Sequence, residues 1–190
     1  MNLPNRLTSY RIVLTALFML LLFAEGVLPK TLALLTFVLA SLTDYWDGKI
    51  ARESGKESHF GKLMDPIADK ILTLSAFIAF VQMGIIPAWM AVLIIVRDLL
   101  VTGWRLALPT EGNAQGARGS GKHKTALQFA SILGVLIFLA VKETAFWNPE
   151  WTPGAYQSIY FGMCFIVGIT LWSGIRYVAK NQGVLDEYFG

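Results

Sequence analysis

Charged residues cut this chain into five apolar blocks, residues 12–24, 31–43, 71–96, 125–141 and 151–175, and no other feature constrains the fold as much. Long uncharged runs of this kind face lipid, whereas a soluble domain interleaves its apolar positions with polar ones. Composition agrees, with 55% of the 190 residues hydrophobic and only 15% charged, against about 25% charged in an ordinary soluble domain. Intrinsic disorder is excluded on the same ground. A spanning helix needs roughly 20 residues. The third block continues past Arg97 and Asp98 toward Leu108, so it reads as two helices broken at Gly84 and Pro87. The first block extends back through Leu7 and the second forward past Asp44 on helical periodicity. The expected fold is all-α, a polytopic membrane protein with six transmembrane helices, and residues 1–190 are expected to form a single membrane domain without internal repeat or linker.

Alternating spans sort 14 of the 16 cations to one side, leaving Lys30 and Lys142 on the other. Positive residues stay inside, so both termini are expected in the cytoplasm. The same loops account for the basic pI near 9.0, and no nucleic-acid partner is expected. Arg6 and Arg11 before an apolar run resemble a signal peptide, but Leu22 and Ala24 make a poor small-x-small cleavage site, so the segment reads as an uncleaved first helix. Cys164 is the single cysteine, which excludes an internal disulfide framework and a multi-cysteine metal site, and it reads as a buried small hydrophobe. Trp89, Trp147 and Trp151 read as an outer interfacial belt.

Ionisable residues beside spanning helices are costly and mark functional positions. Between the second and third spans stand Asp44, Asp47, Asp65 and Asp69. With a second helix starting near Thr31, a rise of 1.5 Å per residue sets Asp44 about 20 Å and Asp47 about 24 Å into a hydrocarbon core of about 30 Å. Asp44 and Asp47 are i, i+3 and Asp65 and Asp69 are i, i+4, so each pair shares a helix face. Four converging carboxylates without a counter-ion would raise one another's pKa values, whereas two divalent cations balance their formal charge. Ligation by oxygen alone suits Mg²⁺ or Mn²⁺ over zinc. Gly48 lies one turn from Asp44, Ala51 one turn from Asp47, and Gly61 one turn before Asp65, which leaves room for a bulky ligand. Arg52 adds a planar cation suited to phosphate oxygens. Close helix packing would also use the small residues, but not the aspartates. Pro66 predicts a helix start or kink near Asp65.

The run Asp44-Tyr45-Trp46-Asp47-Gly48-Lys49-Ile50-Ala51-Arg52, followed by Gly61, Asp65 and Asp69 at their spacings, resembles the signature of the CDP-alcohol phosphatidyltransferase family. Eight specified positions make a chance match about 10⁻¹⁰ per starting position. The segments Asn2-Leu3-Pro4-Asn5-Arg6-Leu7-Thr8 and Gly121-Lys122-His123-Lys124-Thr125 resemble the branch whose acceptor is sn-glycerol 3-phosphate. The resemblance implies a transferase of phospholipid biosynthesis in a bacterial cytoplasmic membrane, moving a phosphatidyl group from CDP-diacylglycerol with release of CMP. It further implies two metal ions held by the four aspartates, Asp69 as general base, Gly48, Ala51, Arg52 and Gly61 lining the CDP-diacylglycerol site, and a homodimer.

Gly116-Ala117-Arg118-Gly119-Ser120-Gly121-Lys122 begins like a phosphate-binding loop, but His123 replaces the required hydroxyl residue and no strand precedes it, so an ATP site is rejected. Arg118, Lys122 and Lys124 are instead candidates for an acceptor phosphate, or a basic loop that only sets topology; the resemblance favours the former. Arg97, about 15 Å along its helix from Pro87, either orients that phosphate or pairs with an aspartate. Arg105 is a further candidate. His59 and His123 read as loop residues. Two competing functions use the same aspartates: a transferase of the same family with an inositol phosphate or serine acceptor, and an aspartate-lined cation transporter.

Overall fold

The computed structural model describes the backbone of residues 3–54, 59–107 and 120–180, and side chains over 10–43, 70–103 and 126–179. Six α-helices occupy it: α1 (Leu3–Phe23), α2 (Val27–Ser54), α3 (His59–Gln82), α4 (Ala88–Ala107), α5 (Ser120–Lys142) and α6 (Thr152–Lys180), with a 3-10 turn at Pro149–Trp151 before α6. No strand occurs among the described residues. The all-helical expectation holds and six helices are present, but length and composition do not show all six to be spans. One helical stretch, Pro149–Ala179, is long and apolar enough by composition to cross a membrane, while the apolar stretches Tyr10–Phe23, Val27–Thr43, Lys70–Gln82 and Ala126–Lys142 are shorter.

The hydroxyls within the helices are satisfied at home. Thr15 Oγ1 donates to Arg11 O at 2.8 Å, Thr36 to Leu32 O at 2.8 Å and Ser41 to Phe37 O at 2.7 Å, so no polar group needs water within these turns. The break in the third block falls where the sequence predicts it. Gly84 adopts φ +68°, its N–H donates to Val81 O at 3.0 Å and Ile85 N–H donates to Phe80 O at 2.9 Å. This paired closure ends α3 at a left-handed residue that favours glycine. Pro87 then precedes α4. Gly26, at φ +103°, makes the earlier turn and starts α2 at Val27 instead of Thr31. That lengthens the distance to Asp44 by about 6 Å at 1.5 Å per residue, placing the aspartates further from the Gly26 turn.

Contacts give the helix directions. Lys30 Nζ reaches Leu22 O at 2.6 Å and Phe18 stacks on Phe37 at 5.5 Å, so α1 and α2 are antiparallel. Phe138 and Lys142 meet Tyr156, turning α6 back along α5. Lys70 approaches Asp98 at 3.8 Å, which sets α3 antiparallel to α4. The core holds Phe18, Phe37, Phe77, Phe80, Met90, Ile94, Ile132 and Met163. The exterior is apolar as well: Leu20, Leu39, Leu100, Phe165 and Ile175 are all exposed, a surface that water would penalise and acyl chains would not.

Candidate functional site

The aspartates stand on two consecutive helices joined by residues 55–58. Asp44, Asp47, Gly48, Ala51 and Arg52 belong to the last turns of α2, and Gly61, Asp65 and Asp69 to the first turns of α3. Both backbones are helical throughout, so Asp44 shares a helix face with Asp47 and Asp65 with Asp69 by register. The side chains of all eight residues lie outside those described. The sequence predicted a helix start or kink at Pro66, whereas α3 begins at His59 and runs through the proline. A missing N–H costs one ladder bond, which the helices packed around a membrane helix can offset.

Arg105 falls in α4, and Lys122 and Lys124 in the first turns of α5. The latter two were expected in a loop, as were His59 and His123; all four are helical instead. Lysine is a good helix former, although a cation in a first turn meets the positive end of the helix dipole. Arg118 lies outside the described residues.

The side chains that are described at this end form a buried polar layer. Arg97 and Asp98 are 6% and 5% exposed. Arg97 Nη1 donates to Asp98 Oδ1 at 2.8 Å, and Nη2 donates to Ser173 Oγ of α6 at 3.2 Å. Lys70, the residue after Asp69, holds its ammonium 3.8 Å from Asp98 Oδ2. Of the two roles that the sequence left open for Arg97, pairing with an aspartate is the one that the geometry fills. Gly174 makes this possible, because a Cβ there would stand 2.9 Å from Arg97 Cγ. Arg11 is buried at 5% on α1, where the sequence marks it as a topology signal and as a charge before an apolar run. Its place between apolar Tyr10 and Ile12 was the available cue. Ser173 and Gly174 carried none.

At the opposite end, an open groove of about 520 Å³ runs between the α3–α4 turn and α6, lined by Gly84, Ile85, Ile86, Pro87, Tyr156, Gln157 and Tyr160. It brings together no acid, base or cation and is far in sequence and fold from the aspartates. The three tryptophans belong to this end: Trp89 opens α4, and Trp147 packs edge-on against both Phe138 and Trp151. Cys164 is half-buried against the core rather than fully buried.

Among the described residues no group of three or more His, Cys, Asp or Glu is close enough to hold a metal; the four aspartates are not among the side chains searched. The donor set itself fits a hard divalent cation, since two helix registers each carry a pair of carboxylates.

The family described as CDP-alcohol phosphatidyltransferase matches residues 1–182. The chain is 35% identical to the CDP-diacylglycerol–glycerol-3-phosphate 3-phosphatidyltransferase of Bacillus subtilis (strain 168), over 97% of each chain. It is 38% identical to a protein of the same name from Rickettsia typhi, over 72% of this chain and 76% of that one. A probable phosphatidylglycerophosphate synthase of Mycobacterium tuberculosis is 41% identical over 69% of this chain and 64% of its own length.

Proposed function

Because this chain belongs to the CDP-alcohol phosphatidyltransferase family, we propose that it transfers the phosphatidyl group of CDP-diacylglycerol to sn-glycerol 3-phosphate, giving phosphatidylglycerophosphate and CMP. The observation that carries this reading is the helical register of Asp44, Asp47, Asp65 and Asp69 on the adjoining ends of α2 and α3. Those four residues would hold two divalent cations, Mg²⁺ or Mn²⁺, which when bound supply charge neutralisation on the attacked phosphorus and the departing nucleotide. Asp69 accepts the proton of the acceptor hydroxyl as its oxygen attacks the lipid-bearing phosphorus and the bond to CMP breaks. Gly48, Ala51 and Gly61 leave clearance for the nucleotide, and Arg52 supplies a cation suited to its phosphates.

Arg105, Arg118, Lys122 and Lys124 are the cations for the acceptor phosphate. Arg97 serves it only at second hand, since a phosphate would have to displace Asp98 or Ser173 from its guanidinium. A dianionic acceptor matches this surplus of cations better than serine does.

Six spans with both termini in the cytoplasm accord with the alternating helix directions and the apolar exterior. The α1–α2 and α3–α4 turns and the α5–α6 connection would then face outward, and the aspartates would sit at the headgroup level where a lipid-linked nucleotide meets a water-soluble acceptor.

The test is CMP release from CDP-diacylglycerol by the purified protein with glycerol 3-phosphate, inositol phosphate or serine offered singly. Turnover with glycerol 3-phosphate alone supports the reading; turnover with another acceptor reassigns the branch, and none at all with any acceptor removes the enzyme. Orientation is checked by labelling Gly119→Cys and Phe146→Cys in a Cys164→Ser background, where only the Phe146 position, 92% exposed, should react from outside.

A further inference from the structure

We propose that Asp98 is a positioning residue that fixes the catalytic end of α3 against α4 and α6 by sharing its carboxylate between Lys70 and Arg97. One oxygen accepts from Arg97 Nη1 at 2.8 Å while the other faces Lys70 Nζ at 3.8 Å. Arg97 then passes the connection on to Ser173 of α6 through Nη2. Helices α3, α4 and α6 are thereby linked in series through Lys70, Asp98, Arg97 and Ser173, starting one residue beyond Asp69. The inference rests on the reading that Asp65 and Asp69 serve the reaction.

Stability alone is a poor account of this arrangement. Burying a pair of charges commonly contributes less than a well-packed apolar core would, because desolvation offsets the attraction. Among the described residues Arg97 Nε is buried with no acceptor, so the guanidinium is placed for reach to α6 at the expense of one donor. The reach is enforced sterically, since α6 approaches so closely at Gly174 that a methyl group would collide with Arg97 Cγ.

The need for an outside hold follows from α3 itself. Pro66 lies between Asp65 and Asp69 and lacks the N–H that would bond to Lys62 O, so the helix ladder is incomplete in the turn where the carboxylates must keep register. Thr73 Oγ1 also donates to Lys70 O at 3.1 Å, a back-bond of the type that bends helices. Successive helix positions differ by about 100° and 1.5 Å. Holding Lys70 toward α4 therefore fixes the direction in which Asp69, and one turn earlier Asp65, leaves the axis.

The test uses the full-length protein in detergent, with kcat, KM for each substrate, thermal unfolding, and Mn²⁺ binding read from the electron paramagnetic resonance of the free ion. Lys70→Gln decides, because it leaves the Arg97–Asp98 pair intact. It should weaken Mn²⁺ binding by roughly 10 to 100-fold, as loss of a support behind metal ligands does, and lower kcat on a similar scale, with KM for glycerol 3-phosphate within about twofold. Lys70→Arg, which keeps a cation facing Asp98, should restore both. Asp98→Asn should follow Lys70→Gln in Mn²⁺ affinity and add a loss of thermal stability from the uncompensated Arg97. Unchanged kcat and Mn²⁺ affinity in Lys70→Gln, with Asp69→Asn inactive, overturns the positioning role alone. An arginine variant as impaired as the glutamine variant also overturns it, since the ion pair would then not be the cause. Full activity and Mn²⁺ binding in Asp69→Asn would remove the functional reading of the aspartates, and this inference with it.

Discussion

The two ends of the helix bundle solve the same problem, burying cations, in different ways. At the end with the Gly26 and Gly84 turns, each is settled locally: Lys30 donates to Leu22 O, eight residues away, at 2.6 Å, and Lys142 lies 5.5 Å from the Tyr156 ring centre, fourteen residues on. At the aspartate end, Arg97 bridges to Ser173 across 76 residues of sequence, and Lys70 of α3 joins through Asp98. Local closure ends a helix; long-range closure fixes helices relative to one another. The second is what a site assembled from several helices requires.

The comparison breaks most sharply if the aspartates prove dispensable. Asp44→Asn, Asp47→Asn and Asp65→Asn should each lower turnover by about 10³-fold or more, on the scale of losing a charged group used in the transition state, while the protein still folds. Full turnover in excess chelator would mean that no metal site exists at that end.

Next in size is the contrast between Arg97→Ala and Lys30→Met. Removing Arg97 leaves Asp98 buried with half its partners and should cost about 3 to 5 kcal/mol. Removing Lys30 deletes one charged hydrogen bond to a helix end and should cost about 1.5 to 3 kcal/mol. Unfolding by denaturant in a fixed detergent measures both, and equal losses would erase the distinction between the two ends.

How much of this was legible in the sequence follows the same division. The Gly84 and Pro87 break, the extension of α1 and α2 past their apolar blocks, and the pairing of aspartates within each helix depend on residues a few positions apart, and period and turn chemistry expose them. The start of α2 was misjudged by four residues because the positive φ of Gly26 is a property of the turn as a whole. Arg97 and Asp98 were recognisable as charges in the wrong solvent, but their partner Ser173 sits in another helix and nothing in a single sequence couples the two. Gly174 likewise looks like any small residue until Arg97 is laid across it. Lys122 and Lys124 were read as loop because basic residues and glycines suggest one, although they begin α5.

A smaller effect sharpens the assignment of that basic region. Arg118→Ala or Lys122→Ala should raise KM for glycerol 3-phosphate by roughly 10 to 100-fold, the equivalent of about 1.5 to 3 kcal/mol, with KM for CDP-diacylglycerol unchanged. Saturation curves for each substrate measure it, and an unmoved acceptor KM would reduce these cations to a topology signal. Smallest of all, Gly84→Ala introduces a side chain at φ +68° with open space around it, so only backbone strain of about 1 kcal/mol is expected. Thermal unfolding should register that shift with turnover unaltered.

The short connection between α2 and α3, residues 55–58, has a consequence for the order of events during synthesis. All four aspartates fall on the adjoining ends of two consecutive helices, so the residues proposed for the reaction leave the ribosome together, whereas Ser173 follows Asp69 by about a hundred residues. At roughly 5 to 20 residues per second, these two helices wait on the order of 5 to 20 s before α6 is available. During that interval its carboxylates are present without their cross-brace. On the proposed reading, the newborn chain carries the reactive groups of the enzyme before it carries the means to aim them, and competence arrives only with the last helix.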